Sequence, residues 1–149
     1  MVNATDQICL DLTNVGPTLI GDYTVVCSAN GCSSNSLVFS VSVEPNPEIN
    51  GASPNGTFCV GTDVVLTASN NVTGTGPITY TWTGPNFTFT DVTNDETGPF
   101  TATIPNIQPA NAGDYTLVLT TQSGCASSPQ TITIGVDPLP SVCLSLIHI

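Results

Sequence analysis

The sequence contains no lysine and no arginine, and its single histidine, His148, stands next to the last residue. Against this are 11 aspartates and glutamates, for a formal net charge of −11. Nucleic-acid binding draws on basic side chains that neutralise phosphates and release their counterions, so a chain that can only repel a polyanion excludes nucleic acid as a partner. An anionic membrane surface is disfavoured on the same ground. Long apolar runs are also missing: nothing approaches the roughly 18 residues needed to span a bilayer. The opening MVNATDQICL lacks the basic start and apolar stretch of an export signal. The expectation is no membrane insertion, with any export signal lying outside this sequence. The 6 cysteines include no CxxC pair and have no histidine nearby, so they do not read as a metal site. Their surroundings of Thr, Asn, Gly and Pro suit an oxidising, extracellular compartment.

What is present is enough to build a core. An apolar content of 40% over 149 residues, with positive mean hydropathy, disfavours disorder. The segment GDYTVVCSANGCSSNSLVFSVSVEPNP (Gly21 to Pro47) recurs as GDYTLVLTTQSGCASSPQTITIGVDPLP (Gly113 to Pro140), at an offset of 92 residues that becomes 93 after one insertion. Upstream, Leu12, Asn14, Val15 and Pro17 fall on Ile104, Asn106, Ile107 and Pro109. So long a period is too long for a solenoid unit and matches a whole domain. The V-E-P-x-P and V-D-P-x-P junctions (Val43 to Pro47, Val136 to Pro140) phase the repeat. Residues 1–44 are then the C-terminal half of one module, 45–138 a complete module and 139–143 the start of a third. Pro-x-Pro pairs suit stiff, extended joins between such modules.

Alternation is strand-like throughout the complete module. Val64, Leu66 and Ala68 share one face, as do Ile78, Tyr80 and Trp82, then Ala102 and Ile104, then Tyr115, Leu117 and Leu119, then Ile132, Ile134 and Val136. Gly and Pro clusters at Asn55-Gly56, Thr73 to Pro77, Gly84-Pro85, Gly98-Pro99 and Ser123-Gly124 punctuate the strands. An all-β fold with antiparallel hairpins follows.

At NAGDYTLVL (Asn111 to Leu119) the sequence resembles the strand-F signature of immunoglobulin domains, with Asn111 in the place of its Asp and Leu117 in the place of its Cys. The resemblance implies an immunoglobulin-like β-sandwich, with Tyr115 and its repeat counterpart Tyr23 as corner tyrosines and Trp82 as the core tryptophan. Leu66 takes the place of the other inter-sheet cysteine, so apolar packing replaces that bridge. Cys59 before strand B, Cys125 after strand F and the segment WTGPNF (Trp82 to Phe87) are similar to the Ig-like and PKD-like repeats of large secreted adhesins and surface proteins of gliding bacteria. That similarity implies a Cys59 to Cys125 disulfide, closing a loop of about 67 residues and contributing roughly 4 kcal/mol on the chain-entropy model. Cys32 is the counterpart of Cys125; Cys9 and Cys27 fall on Thr101 and Leu119, and their pairing and that of Cys143 stay open. The terminal LSLIHI (144–149) departs in style from the rest and looks like the in-frame translation of a sequencing-library adapter, which would remove His148 from the natural protein.

Without His148, the chain offers only carboxylates for acid–base work and nothing to activate a Ser or Thr, so no catalytic residue is expected. Asp91, Asp95 and Glu96 form the one local acidic cluster, a weak calcium candidate without the DxDxDG spacing. Asp22 and Asp114 read as turn residues. The N-x-T motifs at Asn3, Asn55, Asn71 and Asn86 carry no weight in so Asn- and Thr-rich a chain. The expectation is a non-catalytic structural and interaction repeat of a secreted, adhesin-like bacterial surface protein, without cofactor and with neighbouring modules and a glycan or protein ligand as partners. Two alternatives stand beside it: a glycan- or calcium-dependent binding module, for which Phe87 and Phe89 would have to be exposed, or an accessory domain of a secreted hydrolase.

Overall fold

The computed structural model describes residues 11–139; Asn3, Cys9, Cys143 and the segment 144–149 with His148 lie outside the described residues. The chain divides into two compact units, Met1–Val43 and Glu44–Ile149.

In the first unit, a 3-10 turn at Pro17–Leu19 leads into β1 (Gly21–Val25), which pairs antiparallel with β4 (Leu37–Val41), Tyr23 opposite Phe39. Between them β2 (Ser28–Ala29) and β3 (Cys32–Ser33) form a tight hairpin turned by Asn30 and Gly31 at φ 51° and 80°. Positive φ at both central residues is what a two-residue loop needs to match strand twist, and Asn-Gly supplies it at least cost. None of this unit's described residues is buried. Phe39 is 38% exposed, whereas Ile132, its repeat counterpart, is 2% exposed. The same strand pair thus exists in both units, and among the described residues of the first no second sheet lies over its apolar face.

The second unit has such a sheet of its own. Its strands are β5 (Ile49–Ser53), β6 (Gly56–Cys59), β7 (Val64–Asn70), β8 (Ile78–Gly84), β9 (Phe87–Thr93), β10 (Ala102–Ile104), β11 (Gly113–Thr121) and β12 (Gln130–Asp137). One sheet has the order β10-β7-β5 and the other β6-β12-β11-β8-β9. The first strand of the module is shared between them. β5 runs antiparallel to β7, and after Pro54, which has no N–H to continue that ladder, the chain crosses over and β6 joins β12 in parallel register, Gly56 opposite Ile134 and Cys59 opposite Asp137.

The alternating residues of β7, β8, β10, β11 and β12 face inward and are buried between the sheets, where Trp82, Leu66, Leu117, Ile78 and Leu119 are fully enclosed. Leu66 and Leu117 occupy the two places that carry an inter-sheet disulfide in the domains the sequence resembles. Burying two leucines is worth roughly 3–6 kcal/mol, similar in size to the ~2–4 kcal/mol typical of a disulfide, so apolar packing can stand in for the bridge here. Trp82 brings a polar atom into this core and satisfies it, its indole N–H donating to the Phe100 carbonyl at 3.3 Å.

Two core residues, Phe100 and Ile107, come from outside the alternating segments; both are fully buried. They turn inward from loops that are tied to strand β7 and its approach, the Phe100 amide to the Ala68 carbonyl and the Ile107 amide to the Thr62 carbonyl, each at 2.8 Å. Asp22 and Asp114, expected in turns, instead lie on β1 and β11. Each accepts a hydrogen bond from the hydroxyl facing it across the strand pair, Ser40 in the first unit and Thr133 in the second. The register puts these residues directly opposite one another, and a carboxylate with no cation available takes the nearest hydroxyl.

Gly84, the last residue of β8, lets the Tyr115 ring lie against bare backbone: a Cβ there would stand 2.2 Å from Tyr115 Cδ1. The ring is fully buried and cannot step aside into solvent. Gly84→Ala is expected to lower stability by about 1–3 kcal/mol, the usual cost of overpacking, read as a drop in the urea midpoint. An unchanged midpoint would show that the end of β8 yields freely.

Candidate functional site

The strand-F tyrosines end in hydrogen bonds to backbone carbonyls four residues upstream. Tyr115 Oη donates to the Asn111 carbonyl at 2.8 Å, and Tyr23 Oη donates to the Leu19 carbonyl at 2.9 Å. Both acceptors close short 3-10 turns begun by proline, Pro109–Asn111 and Pro17–Leu19. Asn111, in the Asp place of the motif, holds its turn by accepting the Gln108 amide on its side-chain oxygen at 2.9 Å. Phe87 covers the Tyr115 ring from outside, centroids 5.9 Å apart, and Phe89 sits 6.0 Å from Tyr80. Both phenylalanines are partly buried against the core, so neither is the exposed platform that glycan stacking requires.

The acidic cluster does not assemble. Asp91, on β9, accepts from the Tyr80 hydroxyl at 3.4 Å and from the Val92 amide. Asp95 caps its own turn through the Thr97 amide and hydroxyl at 3.0 and 2.7 Å, and these bonds hold its carboxyl below the usual range. Glu96 turns away, its two oxygens accepting the amides of Gly74 and Gly76 at 2.6 and 2.8 Å. With each carboxylate engaged by separate local donors, the three do not converge, and among the described residues no group of three His, Cys, Asp or Glu could hold a metal ion. The weak calcium candidate at Asp91, Asp95 and Glu96 thus does not assemble in this structure: these residues organise loops.

Asn70 organises the same region, and the sequence pattern hid it because it occupies an inward position at the end of β7. It is 5% exposed. Its side-chain oxygen accepts the amides of Glu48 and Val72, and its amide donates to the carbonyls of Val72 and Glu96. One side chain thereby joins the start of the module, the β7–β8 loop and the β9–β10 loop. Asn70→Ala leaves the part-buried amides of Glu48 and Val72 without their acceptor and is expected to cost roughly 1–3 kcal/mol, visible as a lower thermal midpoint. A wild-type midpoint would mean that water replaces the side chain without loss.

The Cys59 to Cys125 pairing is corrected. Cys59 stands opposite Asp137 at the end of β12, whereas Cys125 lies in the β11–β12 turn before Gln130, where that strand begins. The length of β12 separates them, roughly 23 Å at about 3.3 Å per residue. Bridged cysteines have Cα atoms within about 7 Å, and here both are free thiols, as are Cys27 and Cys32 of the first unit. Parallel pairing of β6 with β12 causes the separation, since it sends Cys59 to the far end of the module. Cys27 is exposed although its counterpart Leu119 is fully buried, in keeping with the uncovered face of its unit.

Shallow grooves mark the surface of the second unit among the described residues. One, between β5 and the Gly98-Pro99 corner, is lined by Ala52, Thr67, Ala68 and Ser69, with no ionisable side chain. Another lies between Pro47-Glu48 and Ser128-Pro129, with Glu48 its one ionisable group. Among the described residues no helix is long and apolar enough to cross a membrane.

Two stacked sheets, a first strand divided between them, a buried tryptophan on β8 and a tethered tyrosine on β11 define an immunoglobulin-like β-sandwich, a structural or interaction domain with no catalytic constellation among the described residues. The family model of the MBG domain matches residues 46–127, more than half of the chain, and the chain belongs to that family. Among solved structures, the amphioxus IgVJ-C2 molecule is 24% identical with a TM-score of 0.48, the match covering 83% of this chain and 64% of that one. Sidekick-1 immunoglobulin domains 1–5 are 14% identical with a TM-score of 0.49, covering 83% of this chain and 26% of that one. This chain thus spans less than two thirds of either structure. No curated protein matches it.

Tyr80 and Tyr115 have hydroxyls held above the ordinary value of 10, by burial in both cases and for Tyr80 also by the facing Asp91 charge and hydrogen bond. A raised folded pKa favours the neutral phenol, so this stability is complete below the unfolded value and is lost as pH climbs through the folded one. The thermal midpoint is expected to fall once pH passes 10, with tyrosinate absorbance rising together with unfolding. Ionisation of both phenols near pH 10 with the fold intact would show that their hydroxyls are solvated.

Proposed function

We propose that this chain is a stretch of a tandem array in which each Ig-like module serves as a non-catalytic structural and interaction unit of a secreted, adhesin-like bacterial surface protein. Residues 1–44 are the end of one module, 45–138 a whole one and 139–143 the start of the next, with 144–149 foreign to it. The observation that carries this is the tyrosine tether made twice, Tyr23 to Leu19 and Tyr115 to Asn111, at the 92-residue spacing of the repeat. The strand after it pairs back in the same way, Tyr23 opposite Phe39 and Tyr115 opposite Ile132. The uncovered face of the first unit supports the reading, since its repeat counterpart is enclosed only because β5, β7 and β10 lie over it.

An extracellular setting is supported by a surface without Lys or Arg, whose uniform negative charge keeps neighbouring rods apart and soluble. Long-read sequencing of the source DNA across both ends of the reading frame tests the proposal. Further repeats of about 92–93 residues are expected on both sides, with the six codons for 144–149 replaced by module sequence. A stop codon directly after genuine codons for 144–149, with no repeat upstream, would overturn it.

A further inference from the structure

The two cysteines that face opposite ends of the module share a neighbour, once the repeat is taken into account. Asp137, the last residue of β12, stands opposite Cys59, and its carbonyl accepts the Val60 amide at 3.0 Å. Its counterpart one repeat earlier is Glu44, since Val43-Glu44-Pro45 aligns with Val136-Asp137-Pro138. Glu44 sits at the leading end of the second unit, where its carboxylate accepts a hydrogen bond from Ser123 Oγ, and that hydroxyl lies 3.7 Å from Cys125 Sγ. A junction residue of this kind therefore has Cys59 of the module before it on one side and the Ser123-to-Cys125 turn of the module after it on the other.

We infer that consecutive modules are stapled by a disulfide between Cys59 of one and the Cys125 counterpart of the next. Cys59 lies about 4.8 Å from the junction residue across the paired strands, and the Ser123-to-Cys125 turn is within reach of that residue's side chain, so closing the bond requires the join to bend until the two Cα atoms come within roughly 7 Å. Cys59 is exposed and Cys125 half-buried, so both can be reached by an oxidant. In this chain the partner of Cys125 falls before Met1 and that of Cys59 beyond Ile149, in keeping with both thiols standing free.

The bond forms by exchange with a small disulfide such as oxidised glutathione. The Cys59 thiolate attacks it and releases one glutathione thiolate; the Cys125 thiolate of the next module then attacks the mixed disulfide and releases the second. Two protein thiols give up two protons and two electrons, and the glutathione disulfide takes both electrons.

The inference rests on the tandem reading, but its test does not wait on the gene. Residues 1–138 followed by residues 46–139 give a chain with one added module and the junction Val-Asp-Pro-Asn-Pro; Cys9, Cys27 and Cys32 are changed to Ser. Incubated in a glutathione redox buffer, this chain is expected to lose two thiols as a monomer, Cys59 of the first copy and Cys125 of the second. Pairing within each copy would remove four and overturn the inference; so would no loss. A second pair of chains keeps one cysteine per copy. With Cys125→Ser in the first copy and Cys59→Ser in the second, both remaining thiols should disappear. The mirror chain, with Cys59→Ser in the first copy and Cys125→Ser in the second, should keep both. Equal closure of the two would also overturn the inference. The linked peptides are read after cleavage at acidic residues, because trypsin has no site in this sequence. Repeats in the gene together with free thiols in these chains would separate failure of the staple from failure of the array.

Discussion

The dry contact between the two sheets around Trp82 is the interaction on which the rest of the second unit depends. Leu66 from one sheet and Leu117 from the other are fully enclosed beside it, in the places where related sandwiches put a covalent bridge. Because apolar burial stands where a bridge would otherwise join the sheets, everything that narrows the gap matters: the absent Cβ of Gly84 under the Tyr115 ring, the inward turn of Phe100, and the indole N–H satisfied by the Phe100 carbonyl. The first unit shows what the contact supplies. It has the same pair of strands and the same tethered tyrosine, yet Phe39 lies open where Ile132 is enclosed.

A second constraint is that no carboxylate can meet a Lys or Arg. Ion pairs are replaced by hydrogen bonds to neutral donors, Asp114 to the Thr133 hydroxyl, Asp63 to the Asn106 amide and Glu96 to two glycine amides. Such bonds to a charged acceptor are each stronger than a neutral pair. The acids therefore behave as loop and strand fasteners, and the same occupation keeps them from converging on a cation.

The regular part of the fold was legible from alternation, because in β7, β8, β11 and β12 most alternate residues are apolar and the pleat turns these inward. The repeat was legible as well, down to its corner tyrosines. What alternation cannot encode is where irregular chain turns: Phe100 and Ile107 enter the core from loops, and Asn70 continues the inward face with a polar side chain that only partners from distant segments make tolerable. The cysteines misled for a related reason. Cys59 and Cys125 flank strands of one sandwich, but which end of the sandwich each occupies depends on β6 leaving β5's sheet at Pro54 and running parallel to β12. The acidic run misled because proximity in sequence says nothing about which way each side chain points once β9 ends.

That parallel pairing has a mechanical side. In a chain pulled by its two ends, tension reaches the second unit through the start of β5 and β6 and leaves through the end of β12. Because β6 and β12 point the same way, the pull slides one along the other, and the bonds from Gly56 beside Ile134 to Cys59 beside Asp137 bear the load together instead of opening one at a time. Loaded in shear, those bonds must give way together if the two strands are to part.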